Sequence, residues 1–380
     1  MKARDKLRLL VLCIALISCA TYVSGYAKAK MIFASEIIRH GDRTPYKALP
    51  TAPYSWPEDL GQLTALGMQE EYFLGKSMRH VYITQEKLLA ENYQADQIYV
   101  RSTDIDRTLM SAQSLLLGLY PLGSGPVLAN GEFALPNGYQ PIPVHSISIK
   151  RDTLLLARNV KRTEFNNLVD QYVAITDCWK KQETVLKPKM KKWRKALDMP
   201  IKSIYDIPSL GDNLYVRTVH NVPLPSKLSP QEIKEIIYYG SIILAQEYQP
   251  KQIGALTGKK LLVAERDNMQ KVVNGESSLK FILYSAHDIS ILAFMSAIGA
   301  PLEVDPPYAS HLAIQLYQLE KQPEKQSENQ AEKNYYYFTI AFNDKPIKIP
   351  SCDMTYQCTL TQLNKIIDML NKVVKVDVKQ

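Results

Sequence analysis

Histidine and cysteine are scarce, six and five among 380 residues, and neither falls in a metal-binding spacing. Without a His-Glu-x-x-His or a paired Cys-x-x-Cys, neither a catalytic nor a structural zinc site is expected. The glycine and lysine cluster from Gly254 to Lys259 lacks the phosphate-loop spacing, which excludes a P-loop nucleotide enzyme. No metal and no cofactor are expected, and no internal repeat is visible. A strong excess of one charge is also missing. The formal charge is +8, but residues 1 to 29 hold five bases and one acid, so only four of those charges belong to the remainder. Nucleic acid is therefore not an implied partner, although a mildly positive field favours small anionic substrates. Charged residues at 22% and hydrophobic residues at 46% are ordinary globular values, which excludes a disordered chain and a polytopic membrane protein.

What is present begins at the N-terminus. Lys2, Arg4, Lys6 and Arg8 precede the apolar run Leu9 to Ile17, and small or polar residues follow. This pattern predicts a secretory leader over residues 1–29. Its second half, with Ser18, Thr21, Ser24 and Gly25, is too polar for a good membrane span, so no stable span is expected once it is removed. Three cut sites offer small residues at the right spacing: Ser18-Cys19-Ala20, Val23-Ser24-Gly25 and Ala27-Lys28-Ala29. Leu16-Ile17-Ser18-Cys19 also matches a lipobox, which would acylate Cys19. Export to a periplasmic, extracellular or, in a eukaryote, lysosomal compartment suits Cys352 and Cys358, a close pair that fits a small disulfide loop. Cys178 is left without a partner and reads as a small buried hydrophobe.

Three apolar runs end abruptly in charged residues and are followed by helix-like or turn-rich stretches: Met31 to Ile38 before Arg39-His40, Gln97 to Val100 before Arg101-Ser102-Thr103-Asp104, and Phe281 to Ala286 before His287-Asp288. Thr103, with Asp106 after it, is expected to cap a helix to about Leu117, and Asp288 to start one to about Ile298. Strand patterns return at Leu312 to Leu319 and Tyr335 to Phe342, on either side of the polar link Gln322 to Gln330. A final amphipathic helix carries Leu363, Ile366, Ile367, Leu370 and Val374. This alternation predicts an α/β fold with a mostly parallel central sheet flanked by helices. Between residues 151 and 269 helical patterns dominate, including Ser229, Pro230 and Glu232 as a capped start. The expected organisation is therefore an α/β catalytic domain from 30–150 and 270–380, with a smaller, mainly helical lobe inserted at 151–269. The basic run Lys187 to Lys195 in that lobe reads as a solvated face.

Ligands of such sheets sit outside the carboxyl ends of parallel strands. Arg39, His40, Arg101, His287 and Asp288 are thus expected around one crevice, where helix N-termini favour an anion. Planar donor forks on Arg39 and Arg101, with His287 as a further donor, suit such an anion.

Arg39-His40-Gly41-Asp42-Arg43-Thr44-Pro45, Gly61-Gln62-Leu63-Thr64-Ala65-Leu66-Gly67, Arg101-Ser102-Thr103-Asp104 and Ala286-His287-Asp288 follow one another in this order. Over about residues 31 to 360 the chain resembles the histidine acid phosphatases, the branch of the histidine phosphatase superfamily that includes acid phosphatases and bacterial phytases. The resemblance implies hydrolysis of phosphomonoesters through a phosphohistidine at His40. It also implies Asp288 as general acid, Arg39, Arg43, Arg101 and His287 on the phosphate, and the Gly41 carbonyl orienting the His40 ring. Asp42 reads as a supporting carboxylate near the arginines. His80, His145, His220 and His311 match no motif and are expected to be structural or exposed, with a place in the crevice left open for His145 and His220. Phytase is the alternative within the branch, and a non-catalytic phosphate-binding protein the alternative outside catalysis. Oligomeric state, a homodimer included, is left open.

Overall fold

The apolar, β-branched run before Arg39 forms the central strand of the molecule, β1 (Ala29–Arg39), whose middle is buried on both faces. The computed structural model describes residues 29–319, 336–353 and 355–377. The leader up to residue 28, with Cys13 and Cys19, and the polar link at 322–330 lie outside the described residues. After β1 come α1 (Ala65–Arg79), β2 (Ile98–Ser102) and α2 (Asp106–Leu119). Six helices follow: α3 (Arg162–Tyr172), α4 (Asp177–Leu197), α5 (Ile207–Val219), α6 (Pro230–Gln246), α7 (Lys251–Thr257) and α8 (Lys259–Val273). The chain then returns to the sheet through β3 (Phe281–Ala286), α9 (Asp288–Ile298), β4 (His311–Leu319), β5 (Tyr336–Phe342), the short β6 (Lys345–Pro346) and α10 (Leu360–Asp377).

The strands lie in the order β2-β3-β1-β4-β5-β6. Pairing is parallel from β2 through β3 to β1 and antiparallel from β1 through β4 and β5 to β6. The sheet is therefore mixed, which corrects the mostly parallel expectation for its second half. The loop after α9 returns to the carboxyl end of β1 before β4 starts, where Arg39 N–H donates to the Ser310 carbonyl at 2.9 Å. From that end β4 has only one direction to run.

Apolar burial fills both faces. Phe33, Ile37, Ile282, Leu312 and Ile340 pack with residues of α8, α9 and α10, while Ala34, Ile38, Val100 and Leu283 pack with Met78, Ala112 and Leu115 of α1 and α2. Burial of each such side chain stabilises the fold by about 1.5–3 kcal/mol. A third cluster, with Trp179, Trp193, Ile236 and Ile243, is built mainly by α3 to α6. Local signals behave unevenly. Ser229 and Glu232 form the reciprocal cap of α6, and α9 has the expected bounds. Thr103 does not cap α2, which starts from Ile105 without a side-chain cap; the Thr103 hydroxyl instead meets Thr108 Oγ1 at 2.7 Å. Cys178 is exposed, correcting its reading as a buried hydrophobe, because the neighbouring Trp179 takes the inward position at the start of α4. Cys352 and Cys358 are disulfide-bonded with their Cα atoms 5.3 Å apart.

Candidate active site

At the carboxyl end of β1 the chain delivers Arg39, His40 and Arg43 within five residues, all three almost completely buried. Burying cations so densely is costly unless carboxylates or a bound anion answer them. Arg39 is met by Asp288 Oδ2 at 3.1 Å and Asp305 Oδ2 at 3.7 Å, and it also donates to the Pro306 carbonyl. Arg43 Nη2 reaches Asp212 Oδ2 at 2.9 Å. Both guanidinium groups lie over tyrosine rings, Arg39 at 4.1 Å from the Tyr308 centroid and Arg43 at 3.7 Å from that of Tyr46, a contact that favours a desolvated cation. Tyr308 is fixed in turn by its hydroxyl, which donates to Asp212 Oδ1 at 2.6 Å.

His40 lies behind this layer. Its Nδ1 is 2.8 Å from the Gly41 carbonyl oxygen, so Nδ1 carries the proton and Nε2 keeps its lone pair. Its ring centroid is 5.5 Å from that of His287 and 5.7 Å from that of Tyr308. Burial, then the charges of Arg107, His287, Arg39 and Arg43, hold the His40 pKa well below the ordinary histidine value. The same causes, burial first and Arg107 next, bring His287 down to about 3. Protonation of either imidazole is thus disfavoured. Burial alone raises Asp288, but Arg39 and then His287 more than offset it and leave its pKa below the ordinary aspartate value.

A cavity of about 530 Å³ opens at this point, and Arg39, Arg43, Arg107, His287 and Asp288 line it together with Tyr46, Leu156, Arg158, Tyr215, Ile237 and Leu244. Of the expected phosphate ligands, Arg101 is absent from this lining. Its Nη2 is paired with the fully buried Asp152 at 2.7 Å, at the end of β2. Arg107 occupies the place instead, from the first turn of α2. A base there opposes the helix dipole, and burial, with the Arg43 charge, lowers its pKa although Tyr46 partly offsets this. Such a cation calls for an anion, and that unfavourable position was the signal available in the sequence. The buried Nε atoms of Arg39, Arg43, Arg101 and Arg107 have no hydrogen-bond partner among the described residues, and of these four arginines all but Arg101 line the cavity. Arg39, Arg43 and Arg107 thus line one cavity with donors to spare, a cradle suited to a phosphoryl group.

The remaining expectations divide. Asp42 pairs with Thr64 Oγ1 at 2.6 Å and His220 Nε2 at 2.5 Å rather than with the arginines. His220 and His145 do not line the cavity; His145 is exposed and stacked on Tyr99. Asp212 and Tyr308 carried no motif, because their role comes from α5 and the β4 lead-in meeting at the arginines.

The model of the histidine phosphatase superfamily (branch 2) matches residues 30–343. This chain belongs to that superfamily branch. Among curated relatives of this histidine phosphatase, prostatic acid phosphatase of Rattus norvegicus is 31% identical, covering 90% of this chain and 87% of its own. Lysosomal acid phosphatase of Bos taurus is 29% identical over 88% of this chain and 77% of its own. Among solved structures, Hafnia alvei phytase in complex with tartrate has a TM-score of 0.65 at 15% identity, covering 91% of this chain and 98% of its own. At that identity the likeness concerns the fold.

Proposed function

We propose that this histidine phosphatase is an exported acid phosphatase that hydrolyses small phosphomonoesters through a phosphohistidine at His40. The observation that carries the reading is the His40 ring itself, neutral, held at Nδ1 by the Gly41 carbonyl and set among buried arginines with unmatched donors. Arg39, Arg43, Arg107 and His287 bind the phosphoryl oxygens. Nε2 then attacks phosphorus as the bond to the leaving oxygen breaks, and Asp288 gives that oxygen its proton. Water next attacks the phosphohistidine, the Asp288 carboxylate takes a proton from it, and phosphate departs with Nε2 restored. Asp288 starts ionised beside Arg39; bound phosphate shares Arg39 and adds negative charge, which pushes Asp288 back up, and acidic medium supplies its proton.

Simple esters are favoured over phytate, the alternative substrate. Asp212 and Asp305 face the same cavity as the arginines, and its outer wall adds Leu156, Tyr215, Ile237 and Leu244 with Arg158 as one further cation, itself paired with Glu247 at 2.7 Å. A polyanion would meet two carboxylates there. A panel at acid pH comparing simple phosphomonoesters with phytate decides between them. The reading as a whole is tested by rapid quench with labelled substrate, which should trap an acid-labile adduct on the His40 peptide; an adduct elsewhere would overturn it.

Export rests on the leader pattern and suits the Cys352–Cys358 bond; among the described residues no helix is long and apolar enough to cross a membrane. The division into a catalytic α/β part (30–150 and 270–380) and an inserted helical lobe (151–269) is supported by the Trp179 and Trp193 cluster, which is built mainly from that lobe and joined by Leu49, Ala52, Leu292 and Ala293 of the α/β part. That division needs narrowing at its end, since Ala255, Leu261 and Met269 pack with the sheet.

A further inference from the structure

On the face of β1 opposite Arg39 lies a second group of buried charges that the proposed chemistry does not use. Glu36 is 1% exposed in the middle of the central strand, where a lone carboxylate is strongly disfavoured. It is answered by two side chains, and a second carboxylate meets the farther one. The Tyr82 hydroxyl, in the turn after α1, donates to Oε1. His311 Nδ1, at the first residue of β4, lies 3.0 Å from Oε2. Asp344, on the exposed turn between β5 and β6, lies 3.5 Å from the other His311 nitrogen. The same turn grips the His311 backbone in both directions, with His311 N–H donating to Asn343 Oδ1 at 2.9 Å and Asn343 N–H to the His311 carbonyl at 3.0 Å. A cavity of about 360 Å³ adjoins the group, also touched by Tyr317 and Tyr356, and no lysine or arginine lines it. Among the described residues, His311 is therefore the cation that balances Glu36.

What His311 anchors is the wall of the phosphate site. The six residues before it, Asp305 to Ser310, supply most of the non-helical contacts to Arg39 and His40. Asp305 and the Pro306 carbonyl engage the Arg39 guanidinium, the Tyr308 ring lies beneath it, Ala309 N–H donates to the His40 carbonyl at 3.2 Å, and the Ser310 carbonyl receives Arg39 N–H. This segment ends at His311, whose side chain passes to the other face of the sheet. We propose that Glu36 and His311 are positioning residues for the phosphate site, their ion pair holding the 305–310 wall against Arg39 and His40, and that loss of the His311 proton releases that wall. Burial opposes the charged His311 ring, but Glu36 and then Asp344 more than offset it and raise its pKa. The pair is thus intact in acid and lost as pH rises through the raised value, when Glu36 is left buried without a counter-charge.

The inference rests on the anion-binding reading of the arginine cradle but not on turnover, so the probe is sulfate, whose charge does not change over the range. Sulfate affinity of the full chain, measured by calorimetry from about pH 5 to about pH 9, should fall about 5- to 150-fold, the usual span for coupled sites, at the midpoint of the His311 NMR titration. Glu36→Gln should move both midpoints to lower pH together. The double variant Glu36→Leu with His311→Leu replaces the pair by apolar side chains that such a site tolerates; it should keep the acid-pH affinity and lose the step. A wild-type step that does not coincide with the His311 titration overturns the proposal. So does a step unmoved in Glu36→Gln, or one that persists in the double variant. Intact sulfate steps in a protein without phosphatase turnover would count against the phosphatase reading alone.

Discussion

The two halves of the central sheet use the same hydrogen-bonded frame for different ends. In the parallel half, β2, β3 and β1 all point their carboxyl ends the same way, so a short loop after each strand delivers chemistry to one place: Arg39 to Arg43 after β1, Arg107 after β2, His287 and Asp288 after β3. In the antiparallel half, β4 and β5 carry alternating apolar residues and end in the Cys352–Cys358 loop and α10. That half reaches the arginines only through the segment leading into β4. Parallel strands concentrate functional groups because their ends coincide; the antiparallel strands supply a backing that keeps the concentrated charges from separating.

The contrast breaks most sharply at His40. His40→Ala should reduce turnover of an aryl phosphate by about 10⁴-fold or more, since no other nucleophile stands in its place; full activity in the purified variant would remove it from the chemistry. Asp288→Asn should slow alkyl phosphates by about 10² to 10⁴, the usual worth of a positioned acid, while a nitrophenyl ester, which needs less protonation, should lose far less in the burst phase. Equal losses for the two esters would make Asp288 an orienting group only.

The next comparison lies within one connection. Arg107→Ala should lower kcat/KM about 10²- to 10³-fold, the cost of one preorganised donor to a developing charge. Because Arg107 is the first charge holding His40 down, its removal should raise the His40 pKa. A nucleophile that must be neutral then fails at higher pH, so the acid limb of the profile moves upward. Arg101→Ala should instead leave kcat/KM within about tenfold and lower Tm, because Asp152 would remain buried without its partner. The reverse ranking of these two arginines would restore Arg101 to the phosphate. The smallest effect belongs to the antiparallel half: Cys352→Ser with Cys358→Ser should cost about 2 kcal/mol in a denaturant titration, as expected for a short loop, with kcat unchanged. A large loss of turnover per folded molecule would show that this half does more than support.

Much of this was legible in residue order. The Arg39-His40 segment, the His287-Asp288 pair and the apolar strands before them stood in register with their elements, α6 started from its Ser229 cap, and α9 started at Asp288 as expected, with His287 as its cap. Local rules suffice there because strand periodicity, caps and the short loop after a strand depend on residues only a few positions apart. Arg101 and Arg107 mark the limit. Both follow the same apolar run within ten residues, and residue type alone favours neither. The choice is made by Asp152, 51 positions from Arg101, which captures the strand arginine, and by the first turn of α2, which turns Arg107 into the cavity.

Chain order by itself therefore placed the elements and marked His40 and Asp288 as the candidate nucleophile and proton donor, since each of these readings depends on neighbours within a few residues. Only the tertiary structure decided the mixed pairing of the sheet, the arginine that completes the cradle, the Asp212–Tyr308 brace and the Glu36–His311 pair behind the wall. The Arg101–Asp152, Asp212–Tyr308 and Glu36–His311 contacts join residues 51, 96 and 275 positions apart. The energy of a buried charge depends on which counter-charge the fold brings within a few ångströms of it.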